Sequence, residues 1–279
     1  MKPIRCLRQL LLLGLLITAA CADLKVQTGD QPDYQPQVNQ PGKDVVWWPT
    51  AQQLADKMLD MAKVTSEDYV IDLGSGDGRV VITASKRGSR ALGIEYNPDL
   101  VALSKHNAVK EGVGEAAQFV EGDIFKSDFS QATVITMFLS EKLNLKLRPR
   151  ILNLKPGTRV VSNTFPMGKW TADETFSMEG SEKCNRHCTA YLWIVPAQVE
   201  GTWKLSPGEL RLKQIFQTFS GTLVSGAHSG QVLQGRLIGD QISFRVGEDH
   251  YTGRVTGGSM QGTFTSGGGI VPWQAARLQ

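Results

Sequence analysis

Cysteine is scarce in this chain of 279 residues, with four in all. Cys6 and Cys21 fall within the leading segment 1–22, which leaves Cys184 and Cys188 with His187 between them. That stretch supplies fewer ligands than a structural metal site needs, so no metal-binding constellation is expected. In an oxidising compartment a disulfide is the plain reading of C-x-x-x-C, with free thiols as the alternative. Net charge is lacking too. Lys2, Arg5 and Arg8 sit in the leading segment, and without them the chain carries 27 basic and 27 acidic groups. A balanced chain has no electrostatic footprint for a polyanion, so a nucleic-acid partner is not expected. Apolar runs of membrane-spanning length are also missing. The run Leu10 to Ile17 is interrupted by Gly14 and is too short for a comfortable span.

That short run reads instead as a secretory signal: a positive n-region, an apolar h-region, then Ala19, Ala20 and Ala22. Ala20-Cys21-Ala22 fits an A-x-A cleavage site. Thr18-Ala19-Ala20-Cys21 resembles a lipobox that would lipidate Cys21, and an uncleaved anchor is the third reading. Residues 1–22 are therefore expected to be a signal peptide. Residues 23–43, polar and without periodicity, are expected to be a linker or wrapping arm.

What the chain does have is glycine in a telling place. Tyr69, Val70 and Ile71 lead into Asp72, and Gly74, Gly76 and Gly78 follow before an apolar helical run. A buried strand, a glycine turn and a helix start make a ligand mouth in an open α/β sheet. The spacing is G-x-G-x-G, not the G-x-G-x-x-G of dinucleotide sites. An acid also precedes the first glycine, which suits a ligand with a positive group better than a pyrophosphate. Ala91 to Glu95 reads as the next strand, and it ends in an acid. A carboxylate there can accept from both hydroxyls of a ribose. Ala117 to Glu121 is the third strand, and Asp123 after it can take a hydrogen bond from an exocyclic amine or cap a turn. Thr133–Phe138 and Thr158–Ser162 are further strands, with a helix from Leu139 to Arg150 between them. Residues 164–188 read as an irregular insert, and Thr189 to Val195 as the strand completing the sheet. Thr50 and Gln53 have capping-box spacing before a helix running to about Lys63. Trp47 and Trp48 beside them either staple that helix or meet the ligand.

After Pro196 the texture changes. Segment 197–279 holds 15 of the 29 glycines and no convincing helix. Short alternating runs with glycine turns, Gly239-Asp240 among them, predict an antiparallel barrel or sandwich. Nothing there marks a catalytic group, and His228 and His250 read as surface histidines. The fold class is thus α/β, a doubly wound Rossmann-like sheet over residues 44–196, followed by a small all-β domain over 197–279.

Three motifs in order carry a resemblance. Asp72-Leu73-Gly74-Ser75-Gly76-Asp77-Gly78, Glu95 and Asp123 make residues 45–195 resemble the class I S-adenosylmethionine-dependent methyltransferases. Trp48-Pro49-Thr50, Gly93-Ile94-Glu95-Tyr96-Asn97-Pro98 and Phe165-Pro166-Met167-Gly168-Lys169-Trp170-Thr171 resemble, more narrowly, the small mitochondrial protein-lysine methyltransferases and their secreted bacterial relatives. The resemblance implies S-adenosyl-L-methionine as cofactor and methyl transfer to a protein lysine. It implies that Asp72 orients the amino-acid part, with Gly74, Ser75, Gly76 and Gly78 giving backbone access. Glu95 would hold the ribose and Asp123 the adenine, while Pro49 and Thr50 close the N-terminal side. On the acceptor side Thr136, Phe138 and Glu141 are the expected catalytic positions, with Phe165 and Trp170 nearby as an amine cradle or as core. No Asn/Asp-Pro-Pro-Tyr segment follows the fourth strand, which argues against DNA adenine methylation. The alternatives are a non-catalytic periplasmic module that keeps the fold, and a methyltransferase for a small molecule. The expected location is outside the cytosol of a bacterium, periplasmic or lipid-anchored through Cys21, with membrane or cell-envelope association as a corollary.

Overall fold

The structure, a computed structural model, describes residues 34–180 and 186–278. The signal peptide, Cys21, the first part of the expected linker and Cys184 lie outside the described residues. No helix among the described residues is long and apolar enough to cross a membrane.

The first part of the chain alternates helix and strand: α1 (Gln52–Met61), β1 (Tyr69–Leu73), α2 (Arg79–Lys86), β2 (Arg90–Glu95), α3 (Pro98–Lys110), β3 (Ala117–Glu121), β4 (Val134–Met137), α4 (Glu141–Ile151), β5 (Arg159–Asn163), β6 (Glu174–Ser177) and β7 (Thr189–Ile194). These strands form one seven-stranded sheet in the order β3-β2-β1-β4-β5-β7-β6. Strands β1 to β5 are parallel, and β7 enters antiparallel between β5 and β6. Successive side chains on a strand point to opposite faces, so one strand feeds two cores. Val70, Val134 and Val161 pack with α1, α2 and α3 on one face. Ile71, Leu73, Ile135, Met137 and Val160 pack with Leu143, Leu147 and Ile151 of α4 on the other.

Two local expectations change. Helix α1 is capped by Ala51 rather than by Thr50, with no side-chain cap bond. Thr50 is buried, and its hydroxyl accepts from Asn163 Nδ2 at 3.2 Å. A buried bond to β5 outcompetes the local cap. The insert 164–188 is also less irregular than expected, because it contains β6. That strand is a short, largely exposed edge, so it carries almost no apolar alternation.

The remainder is β8 (Gly201–Leu205), β9 (Gly208–Ile215), β10 (Thr218–Val224), β11 (Gly230–Ile238), β12 (Gln241–Val246), β13 (Asp249–Thr256), β14 (Ser259–Ser266) and β15 (Gly269–Arg277). Each strand pairs antiparallel with the next, and β15 pairs back with β8, so the eight close into a barrel. Closure removes the unpaired edges that an open sandwich would have left. The Gly239-Asp240 hairpin joins β11 to β12, with Ile238 opposite Gln241. Inside, Phe244, Tyr251 and Phe264 stand opposite one another across three strands and stack at 4.7 and 4.6 Å. These rings are buried in the barrel core, and Tyr251 and Phe264 also border a cavity of about 1240 Å³ on the barrel.

The barrel meets the sheet domain along residues 165–173. Trp170 is buried, and its ring lies nearly parallel to Phe216 at the β9–β10 turn, 6.0 Å away. Gln217 Nε2 donates to Thr171 O at 2.7 Å, and Arg236 Nη2 pairs with Asp173 Oδ1 at 2.7 Å. Trp170→Ala removes the ring shared by the sheet core and the barrel turn. Urea unfolding should show a loss of about 3–5 kcal/mol, the usual cost of deleting a buried tryptophan.

Candidate active site

The site is built at the carboxyl ends of the parallel strands. After β1 the chain turns through Gly74, Gly76 and Gly78, with φ of +82°, +56° and +84°. These are left-handed conformations that glycine adopts without penalty. Gly74 N and Ser75 N both donate to Ile94 O of β2, at 2.9 and 3.2 Å, tying the loop to the neighbouring strand. Glu95 completes that tie. Its Oε2 accepts from Gly76 N at 3.0 Å, and its Oε1 accepts from Tyr96 N at 2.8 Å and Asn97 N at 2.9 Å. Three of the four lone-pair positions of the carboxylate are thus used to fix the loop and the entry to α3.

A cavity of about 350 Å³ opens over this loop, within the range of small-molecule sites. Pro49, Thr50, Asp72, Gly74, Ser75, Gly76, Glu95 and Asp123 all border it. Gly78 does not. A Cβ there would lie 2.7 Å from Ser104 and 2.8 Å from Phe119, so this glycine serves the packing of α2 against α3 and β3. Phe138 borders the cavity from the loop after β4. Thr136 lies beneath it, fully buried, and its hydroxyl donates to Asp72 Oδ1 at 2.7 Å. It orients the acid rather than reaching an acceptor. Glu141 is exposed in the first turn of α4 and borders neither this cavity nor the one beside it. Trp170 belongs to the core beneath the barrel, not to the acceptor side.

Burial pushes the Asp72 carboxyl up to about 7, against the Thr136 hydrogen bond, and the negative charges of Glu95 and Asp77 push the same way. Asp123 is held below the usual carboxylate range, first by Lys43 and then by the Phe125 amide. Lys43 Nζ lies 2.9 Å from Asp123 Oδ2 and 4.4 Å above the Tyr96 ring. Lys43 stands at the end of the segment expected as a linker or wrapping arm, and residues 40–50 border the cavity. The arm folds on itself through Asn39 N to Trp47 O at 3.0 Å and Trp47 N to Gln40 O at 2.9 Å. It lies across the cavity, with Trp47 Nε1 3.0 Å from the place of a Gly76 Cβ. Arg79 anchors its end, donating to Thr50 O at 2.7 Å while pairing with Asp77.

A second cavity of about 230 Å³ adjoins the first, and Trp48, Phe138 and Leu139 border both. Its walls are aromatic. Phe138 and Phe165 lie nearly parallel at 6.2 Å, and His187 stands edge-on to Trp48 and Phe138 at 5.2 Å from each. Trp48 and His187 are additions to the expected acceptor side. Trp48 belongs to the Trp48-Pro49-Thr50 motif, which leaves open whether it staples α1 or meets the ligand, and His187 reaches the cavity through the antiparallel entry of β7. The next residue, Cys188, is buried and disulfide-bonded.

The arrangement fits S-adenosylmethionine on its own terms. The left-handed glycines bring backbone to the ligand, and the acids line one side. The Ser75 hydroxyl is buried at the cavity with no hydrogen-bond partner. These features define a class I methyltransferase site. A family model described as the ANTKMT methyltransferase domain matches residues 72–174. A protein-lysine N-methyltransferase of Saccharolobus islandicus is 40% identical over 154 residues, covering 54% of this chain and 94% of that protein. The adenine nucleotide translocase lysine N-methyltransferase of Mus musculus is 35% identical over 103 residues, 36% of this chain and 45% of that protein. An RNA methyltransferase from Salinibacter ruber, solved with S-adenosyl-L-homocysteine, is 44% identical with a TM-score of 0.51. The match covers 55% of this chain and 96% of that one. The chain belongs to this methyltransferase family, and it is an S-adenosylmethionine-dependent enzyme. The barrel lies beyond the matched residues 72–174.

Two outcomes are expected of the cofactor site. Glu95→Ala frees three backbone amides and releases the glycine loop from β2 and α3. It should weaken S-adenosylhomocysteine binding at least about tenfold in calorimetry, the effect of losing a charged hydrogen-bonding group. Asp72 gives a pH dependence. A cationic ligand draws it to its ionised form, so its pKa falls on binding. Affinity for S-adenosylmethionine is therefore full above about 7 and declines below it, by at most about tenfold per pH unit. Titrations between pH 5.5 and 8.5 should show this slope, and Asp72→Asn should flatten it.

Proposed function

We propose that this enzyme methylates the ε-amino group of a protein lysine, and that it does so after export, in the cell envelope. The observation that carries the reading is the aromatic cavity beside the cofactor cavity. Bound S-adenosylmethionine supplies a methyl on a sulfonium, which an amine lone pair takes while sulfur keeps the bonding electrons. Displacement of this kind needs the amine, methyl and sulfur in line, so the acceptor must enter from the far side of the cofactor cavity. The shared border at Trp48 and Phe138 is such an entry. A narrow aromatic passage suits a lysine side chain: its methylenes pack on the rings, and its nitrogen gains cation–π attraction when charged. The rings also exclude water, which favours the neutral amine that can react. The lysine methyltransferases among the relatives, named for a protein acceptor, support the same reading.

RNA is the second reading, because the Salinibacter ruber neighbour is named for it and aromatic walls can stack on bases. The balanced charge of the chain past its leading segment weighs against it. Labelled S-adenosylmethionine, purified protein and a cell-envelope extract decide between them. Label that resists ribonuclease and is recovered as methyl-lysine after acid hydrolysis supports the proposal, whereas label confined to RNA overturns it. Phe165→Ala should lower acceptor kcat/KM roughly tenfold, about the worth of one ring contact to a desolvated amine. Its affinity for S-adenosylhomocysteine should stay unchanged.

A further inference from the structure

One wall of the aromatic cavity is an imidazole. His187 faces Trp48, Phe138 and Phe165, at centroid distances of 5.2, 5.2 and 6.2 Å. It sits where the chain enters β7, with φ at +59° in the left-handed region, where histidine is among the better-tolerated residues. The backbone beyond it is fixed. Cys188 is buried and disulfide-bonded, and its carbonyl accepts from Met178 N at 3.0 Å. The imidazole is therefore presented to the cavity from the root of a strand.

We propose that His187 is the proton acceptor for the amine that this enzyme methylates. The inference rests on the lysine reading. A lysine amine arrives in water as an ammonium, its lone pair held in an N–H bond. The unprotonated ring nitrogen of His187 takes that proton, leaving the lone pair on the amine nitrogen and a proton on the imidazole. The imidazolium returns the proton to water at the cavity mouth, so His187 is restored at each turnover.

No other described wall of the cavity can take this part. The arm brings Asn39, Val45 and Val46, and the loop after β4 brings Leu139 and Ser140, none of which titrates near neutrality. Asp72 lies in the neighbouring cavity and is engaged by Thr136. Arg186 is the one permanently charged group bordering the cavity among the described residues, with its guanidinium 5.4 Å from the Trp48 ring. Burial, and then the charge of Arg186, hold His187 below the ordinary histidine value, so its free base prevails at neutral pH. The same dry, cationic surroundings lower the affinity of a lysine amine for its proton, which offsets the weakened basicity of the imidazole. This is the ordinary logic of a general base matched to its working pH.

The test uses poly-L-lysine as acceptor and compares the native full chain with His187→Asn and His187→Phe. Asparagine tolerates the left-handed backbone, and phenylalanine keeps an aromatic wall. Acceptor kcat/KM is measured from pH 5.5 to 10, and S-adenosylhomocysteine binding is measured in parallel. The native profile should rise at low pH with a midpoint below the ordinary imidazole value, then level off. Both variants should be slower at pH 7 by roughly 10²-fold or more, the scale of general-base catalysis. They should recover toward the native rate as the pH nears lysine's own value, about 10.4, with S-adenosylhomocysteine binding unchanged throughout. Variant profiles that run parallel to the native one would sink the proposal and make His187 a packing residue. Loss of cofactor binding in both variants would overturn it too and assign the residue to the fold. If the native protein transfers no methyl to poly-L-lysine at any pH while still binding the cofactor, the lysine reading itself fails and this inference with it.

Discussion

One carboxylate organises the site. Glu95 accepts three backbone amides, from Gly76, Tyr96 and Asn97, and so joins the glycine loop, the end of β2 and the entry to α3 at a single point. The loop needs that restraint. Its three glycines give it access to the ligand, but they also make it costly to order, because glycine loses the most backbone freedom on folding. The bonds from Gly74 N and Ser75 N to Ile94 O provide the rest of the restraint. A loop held this way is preorganised, so ligand binding does not have to order it. It also explains why Asp72 can stay buried at the floor. Thr136 satisfies one oxygen, and the rigid loop above keeps water from relaxing the site.

The arm over the cavity follows a different logic. Lys43 and Asp123 form a solvent-accessible pair, and such pairs contribute little because water screens them. What holds the arm is packing and its fixed end: Trp47 over the glycine loop, and Thr50 gripped by Arg79 and Asn163. The weak pair sits beside Asp123 and the firm anchor beside α1. Trp48, next to that anchor, borders both cavities.

The parts legible in the sequence are those where local chemistry and fold agree. The strand, glycine turn and helix from Tyr69 onward can be read because each residue type suits its own backbone. Glu95 and Asp123 can be read as cavity-lining acids because each stands at or just past a strand end, on the carboxyl edge of the sheet. The barrel is legible as strands and turns, although its closure depends on the pairing of Ala275 with Leu205, which no local pattern encodes. Thr50 looks like a helix cap because the competing partner, Asn163, stands far along the chain on β5. The acceptor side is the least legible. Proximity to β4 points to Thr136 and Glu141, yet one points down to Asp72 and the other faces solvent. Trp48 and His187 meet only because β7 runs back between β5 and β6, and side chains brought together by topology leave no spacing to read.

Topology also accounts for the barrel's place in an enzyme whose chemistry lies elsewhere. Phe165 forms one wall of the aromatic cavity, and it opens the segment that the barrel grips. Just beyond it, Met167 O is held by Arg148, Trp170 by the Phe216 ring, Thr171 O by Gln217 and Asp173 by Arg236. Arg148 ties these contacts together, since its guanidinium also lies 5.2 Å from the Phe216 ring. Two of the four grips come from the β9–β10 turn and a third from β11, so a connection that would otherwise be a surface loop is clamped between two packed cores. Surface connections are ordinarily the mobile parts of a fold, whereas an in-line displacement is sensitive to misplacements of about an ångström. The barrel therefore packs against the segment that follows Phe165, and it contributes none of its described residues to either cavity at the sheet.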